Sequence, residues 1–128
     1  MKLGVLMTIN AVIAGVFGLA LIFVPAEFLS VYGVTADAQF AFVGQLFGAA
    51  LFGYGLLTWY ARSAGESEAR RAILRALFTA DAVGFIVALM AQLRGLVNPV
   101  GWSTVVIYLL LAFGFGFFLV RKPGGAAQ

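Results

Sequence analysis

Residues 40–61 read FAFVGQLFGAALFGYGLLTWYA, a run with no charged side chain and with glycine at positions 44, 48, 53 and 55. A helix rises about 1.5 Å per residue and the hydrocarbon core of a bilayer is about 30 Å thick, so roughly twenty such residues span it. The run shows none of the apolar–polar alternation that a barrel strand requires. Working outward from it, three more apolar blocks appear: Leu3 to Val24 before it, and Ile73 to Leu93 and Trp102 to Val120 after it. Four spans and their turns account for the 128 residues and leave no room for an extramembrane enzyme domain. The expected fold is all-α, a four-helix transmembrane bundle forming one domain over residues 1–128.

Composition agrees. The chain is 63% hydrophobic and 10% charged, against roughly 45–50% and about 25% in soluble domains, which excludes a water-soluble globule. Cysteine and histidine are both absent. Disulfides, thiolate zinc sites, axial histidine for haem and histidine-dependent catalytic triads are therefore excluded, and no cofactor is expected. The formal charge of +3 comes from basic residues spread along an apolar chain, which makes no nucleic-acid groove; such a balance is normal for a membrane protein.

The breaks between blocks carry helix signals. Pro25 stops the first block, and Asp37 is placed to cap the second. Ser63 with Glu66 has capping-box spacing ahead of the third, and Asn98 followed by Pro99 reads as N-cap and first residue of the fourth. The first block follows Lys2 but exceeds the 7 to 15 residues of a signal-peptide core, so it is expected to be a retained span. Lys2, Arg62, Arg70, Arg71, Arg75, Arg121 and Lys122 fall on one side of a four-span layout, while Arg94 falls on the other with Glu27 and Asp37. The positive-inside bias then predicts an inner-membrane protein with both termini and the middle loop cytoplasmic. In the outer connection Pro25 to Gln39, Phe28, Leu29 and Tyr32 share one side of a short helical turn, expected to rest on lipid or to offer a docking edge. Trp59, Tyr60 and Trp102 sit where aromatic belts anchor spans.

Lipid supplies no hydrophobic drive between helices, so small residues that admit close backbone approach mark packing faces. Gly4, Thr8, Ala11, Gly15 and Gly18 form such a stripe on the first span. Gly44 and Gly48 make a GxxxG pair on the second, and Ala76, Ala80, Gly84 and Ala88 recur every fourth residue on the third. The phenylalanines 113, 115, 117 and 118 are bulky enough to fill the space that glycines open. A weak repeat relates Thr8, Asn10, Ala11 and Val12 to Thr79, Asp81, Ala82 and Val83, and Phe52-Gly-Tyr-Gly55 to Phe113-Gly-Phe-Gly116. It suggests two similar helical hairpins arranged as parallel repeats about an axis along the membrane normal.

Asp81 is the one acidic residue deep in a span. An unpaired carboxylate there costs several kcal/mol, so it is expected to be protonated, paired or facing water. Asn10 and Tyr54 fall at a similar depth, giving an expected intramembrane polar cluster of Asp81, Asn10 and Tyr54. The cluster is either a structural knot tying three helices or the centre of a proton, cation, lipid or quinone site. Gln45 is expected to act as interhelical glue or as a ligand contact.

The segment Gln45-Leu-Phe-Gly-Ala-Ala-Leu-Phe-Gly-Tyr-Gly-Leu-Leu57, the Arg70-Arg71 start of the third span and the Asn98 to Trp102 turn resemble those of small four-helix bacterial membrane proteins, loosely similar to DoxX-like proteins. The resemblance covers nearly the whole chain, implies the fold and carries over no catalytic residue. A small multidrug exporter has similar size but places a glutamate in its first helix, where this chain has Asn10. Two functional classes follow. One is a non-enzymatic accessory or assembly subunit whose partners are membrane lipids and other membrane subunits or a second copy. The other is a small transporter or lipid- or quinone-binding protein using Asp81. Whether Asp81 meets a cavity or only other side chains separates them.

Overall fold

The computed structural model describes residues 1–121. It contains α1 (Leu3–Phe23), α2 (Pro25–Val31), α3 (Ala38–Ala61), α4 (Glu68–Leu93) and α5 (Gly101–Val120), and no strand among the described residues. The fold is an all-helical bundle in which α1, α3, α4 and α5 are each long and apolar enough to cross a membrane. Lys122 and Gln128 lie outside the described residues.

Local chemistry sets the boundaries. Pro25 has no amide hydrogen to continue α1, and its fixed φ starts α2 instead. Asp37 caps α3 as expected, accepting from the Phe40 amide at 2.8 Å. The start of α4 differs from expectation. Ser67, not Ser63, is the N-cap and accepts from the Arg70 amide, so the helix begins at Glu68. Ser63 is taken up in the turn that reverses the chain, and Glu66 pairs with Arg70 at 3.2 Å rather than closing a capping box. Asn98 likewise does not cap a helix starting at Pro99. Its Oδ1 accepts from the Val100 amide in a turn that precedes α5, while its Nδ2 donates to the carbonyl of Val31. After α2 and α4 the chain turns through Gly33 (φ 78°) and Gly95 (φ 72°), left-handed positions where a Cβ is strained. Each is closed by a six-residue amide bond, Val34 to Leu29 and Leu96 to Ala91.

The helices pack as two pairs, α1 with α3 and α4 with α5, in keeping with two hairpins. Missing side chains make both seams close. A Cβ on Gly18 would lie 2.8 Å from the Phe52 nitrogen, and one on Gly48 2.8 Å from the Gly18 carbonyl oxygen. A Cβ on Gly84 would strike the ring of Tyr108, and one on Gly116 the ring of Phe78, so these two glycines seat aromatic rings between α4 and α5.

Two glycines expected in the packing faces behave differently. A Cβ on Gly15 meets nothing within 4 Å, although the Gly15 nitrogen lies against Gly55 across the seam; a Cβ on Gly44 makes only ordinary contacts of 3.6–3.8 Å. The GxxxG spacing therefore contributes one close approach, at Gly48, and not two. Gly44 lies where α3 runs beside Leu29 and Pro25 of α2 rather than against the backbone of α1. Gly4, held against the Arg62 carbonyl, and Gly55 complete the α1–α3 seam.

The pairs join at the end that carries the N-terminus and the α3–α4 loop. There Leu6 and Met7 of α1, Leu74 and Leu77 of α4, and Phe115 and Phe118 of α5 form a buried core. Gly114 admits Leu6 between α1 and α5. Phe115 is wholly buried while Phe113 is 77% exposed, so only part of the phenylalanine cluster fills the interior. Toward the α2 end the pairs separate, because α3 and α4 do not pack along their lengths.

Candidate functional site

Where the pairs separate, they leave between them a half-open cavity of about 450 Å³, within the range of small-molecule sites. Its walls run from Asn10 to Leu21 on α1, from Phe40 to Tyr54 on α3, from Asp81 to Ala91 on α4 and from Gly101 to Leu111 on α5. Ten helical residues from Asp81 to Ala91 make the slot about 15 Å deep. Nearly every wall residue is apolar or aromatic, and among the described residues no lysine or arginine lines it.

One end is closed by α2. Phe28 stands edge-on to Phe17 at 5.4 Å and lies 5.6 Å from Tyr32, and Leu29 packs beside Gly44. Thr104 Oγ1 donates to the Tyr32 hydroxyl at 3.1 Å, and the Asn98 amide donates to the Tyr32 carbonyl at 2.9 Å, joining α2 to the second helix pair. Phe28, Leu29 and Tyr32, expected to rest on lipid or to offer a docking edge, all line the cavity and remain partly exposed. A shared helical side was legible in sequence, but which way that side faces depends on how α2 folds back over the bundle. Gln45 acts as glue, its Nε2 donating to the Ile22 carbonyl at 2.9 Å.

The other end is polar and holds the expected cluster. Asp81 sits in the middle of α4, and its Oδ1 accepts a hydrogen bond from the Tyr54 hydroxyl at 3.2 Å. This bond bridges α3 and α4 where their backbones do not meet. Asn10 turns to another partner, its Nδ2 donating to Thr58 Oγ1 at 3.0 Å, and Thr58 Oγ1 donates to the Tyr54 carbonyl at 2.8 Å. Asn10, Tyr54 and Asp81 all line the cavity.

Thr58, wholly buried, and Tyr108, whose ring covers Gly84, were not anticipated. A threonine one turn after Tyr54 that bonds back to its own helix carries no distinctive sequence signal. Tyr108 was hidden in the aliphatic run Val105 to Leu111, which reads as an ordinary span.

Asp81 is only 2% exposed, and its Oδ2 has no hydrogen-bond partner among the described residues. A buried polar atom without a partner loses its hydration for nothing, a cost of about 1–3 kcal/mol and more if charged. The site thus consists of an apolar slot ending on a carboxyl with one oxygen spare, beside two phenols and an amide. Among the described residues no group of three histidine, cysteine, aspartate or glutamate side chains gathers to hold a metal ion. No protein-family model, characterised protein or solved structure matches the chain.

Proposed function

We propose that this chain is an integral membrane protein that binds an amphiphilic small molecule of the lipid or quinone class inside the bilayer. The apolar body of that molecule lies in the slot, and its polar group meets Asp81, Tyr54 and Asn10. The single observation that carries the reading is the meeting of Asp81 with a cavity rather than with side chains alone. A purely structural knot has no use for a spare carboxyl oxygen, because buried polar networks are favourable only when every member is satisfied. The gap between α3 and α4 supports a lateral route from the bilayer into the slot. The reading is one of binding, with no catalytic step assigned to a cavity that holds a single carboxyl.

The same reading places the protein in the inner membrane with both termini cytoplasmic. Lys2, Arg62, Arg70, Arg71, Arg75 and Arg121 share one end of the bundle, and Arg94 stands at the other. The cavity then opens in the outer half of the membrane, with α2 over it.

The test exploits the two glycines of α3 that have space around them. Leucine at Gly44 projects into the cavity, whereas leucine at Gly53, where nothing lies within 4 Å and the surface is exposed, projects to the lipid face. After purification from native membrane in a mild detergent, lipid mass spectrometry is expected to find one amphiphile retained by the wild type and by Gly53→Leu, and depleted at least tenfold in Gly44→Leu. Identical lipid profiles in all three, with a co-purifying membrane protein retained throughout, would overturn the reading in favour of an accessory subunit.

A further inference from the structure

The direction of the hydrogen bonds at the polar end narrows the class of occupant. Tyr54 spends its one hydroxyl proton on Asp81 Oδ1, and Thr58 spends its proton on the Tyr54 carbonyl. Asn10 commits an amide proton to Thr58. What remains without a partner in the buried wall of the cavity, among the described residues, is Asp81 Oδ2, the second oxygen of a carboxyl whose first already accepts from Tyr54. Among the described residues the wall contains no lysine or arginine, and the ion pair of Arg70 with Glu66 belongs to the α3–α4 turn at the end of the bundle. Of the described residues, none therefore donates to Oδ2 and none in the wall brings a counter-charge to this carboxyl.

We infer that the occupant meets Asp81 with a hydrogen-bond donor, so that the site takes an apolar molecule headed by a hydroxyl or an ammonium group. The inference rests on the reading of the cavity as a binding site. The O–H or N–H group supplies the bond missing at Oδ2, while the apolar body fills a slot whose other surfaces are mostly Phe, Leu, Val, Ile and Ala side chains, with Tyr32, Thr104 and Tyr108 among them. With the carboxyl ionised, an acceptor-only head such as an ester gains nothing from Oδ2 and leaves it unpartnered, whereas a hydroxyl head, which both donates and accepts, satisfies Oδ2 in either protonation state. Hydroxyl and ammonium differ in what they ask of Asp81: the first needs an acceptor oxygen, the second also a negative charge.

Three probes of one chain length separate these cases: dodecan-1-ol, dodecylamine and methyl laurate. They are titrated into the full chain in phosphatidylcholine nanodiscs and followed by the carbon-13 methyl signals of alanine. Ala88 and Ala91 line the cavity, and the exposed Ala49 and Ala50 of α3 serve as lipid-facing controls. Saturable shifts at Ala88 and Ala91 are expected with the alcohol or the amine. Half-saturation by methyl laurate should be about tenfold weaker or more, the worth of one hydrogen bond to a charged group.

Asp81→Leu should remove the preference for a donor head. Asp81→Asn, which keeps a carbonyl acceptor and a similar shape, should retain binding of an alcohol but weaken that of an amine by about tenfold. Unchanged control methyls verify that each variant remains folded. If methyl laurate saturates the wild type as tightly as the alcohol and the amine, the donor inference falls while the binding site stands. If none of the three probes shifts Ala88 or Ala91 saturably, both fall.

Discussion

Gly44 and Gly48 are four residues apart on one helix and share one motif, yet a methyl group added to each should act in opposite directions. At Gly48 a Cβ would stand 2.8 Å from the Gly18 carbonyl oxygen, 2.8 Å from the Leu21 Cβ and 3.1 Å from the Ile22 nitrogen. Backbone atoms cannot rotate away as a side-chain tip can. Carbon contacts are optimal near 3.5–4.0 Å, so α1 and α3 must part by roughly 0.7 Å around this crossing, a gap that forfeits about a quarter to a half of the local dispersion energy. Overpacking of this kind costs about 1–3 kcal/mol, and the gain from replacing a mid-helix glycine by alanine offsets about 0.5–1 kcal/mol of it. Gly48→Ala should therefore destabilise by about 1–2 kcal/mol.

At Gly44 the nearest atoms are side-chain carbons at 3.6–3.8 Å, an ordinary contact. Only the helix term remains there, and Gly44→Ala should stabilise by up to about 1 kcal/mol. Unfolding of each variant in dodecylmaltoside micelles with rising sodium dodecyl sulfate, followed by far-ultraviolet circular dichroism, measures the difference. Equal destabilisation by both substitutions would refute the placement of Gly44 outside the close seam.

Asp81→Asn should leave stability within about 0.5 kcal/mol of the wild type, whereas Asp81→Leu, which strands the Tyr54 hydroxyl, should cost on the order of 1–2 kcal/mol in the same assay. Equal losses for both would mean that the charge itself holds the fold. Ser67→Ala should destabilise by about 0.5–2 kcal/mol through loss of the α4 cap, while Ser63→Ala should change little; the reverse order would return the cap to Ser63. In a chain without native cysteine, a single cysteine at Ser67 should be shielded from an impermeant thiol reagent in intact cells, and one at Thr35 should be labelled. Labelling of Ser67 from outside would invert the proposed orientation.

The architecture was legible because its cause is local. A segment such as residues 40–61, with no charge over 22 positions, must satisfy its backbone within itself once in lipid, and only a helix does so in a single segment. Asp37, Pro25 and Gln45 also act as their residue types suggest. Asp81 stood out for an equally local reason, the cost of a carboxyl at membrane depth, and its neighbourhood to Tyr54 and Asn10 followed from counting turns. Spacing alone misled where two answers share one pattern: Ser63 and Ser67 both precede a helical stretch, and only the path of the chain between α3 and α4 selects the second.

What only the tertiary structure decided concerns direction and distance between helices. Gly44 and Gly48 look equivalent in sequence, but the crossing of α1 over α3 brings backbone against Gly48 and a side chain of α2 near Gly44. Phe28, Leu29 and Tyr32 share a helical side in any folding of α2, yet they line a cavity because Tyr32 and Asn98 fasten α2 across the second helix pair. The cavity has no sequence signal at all. It exists because α1 packs on α3 and α4 on α5 while α3 and α4 stay apart, an outcome of the whole set of packing faces competing for partners. The spare oxygen of Asp81 is likewise a property of the assembled bundle, since Tyr54 reaches one side of the carboxyl and nothing among the described residues reaches the other.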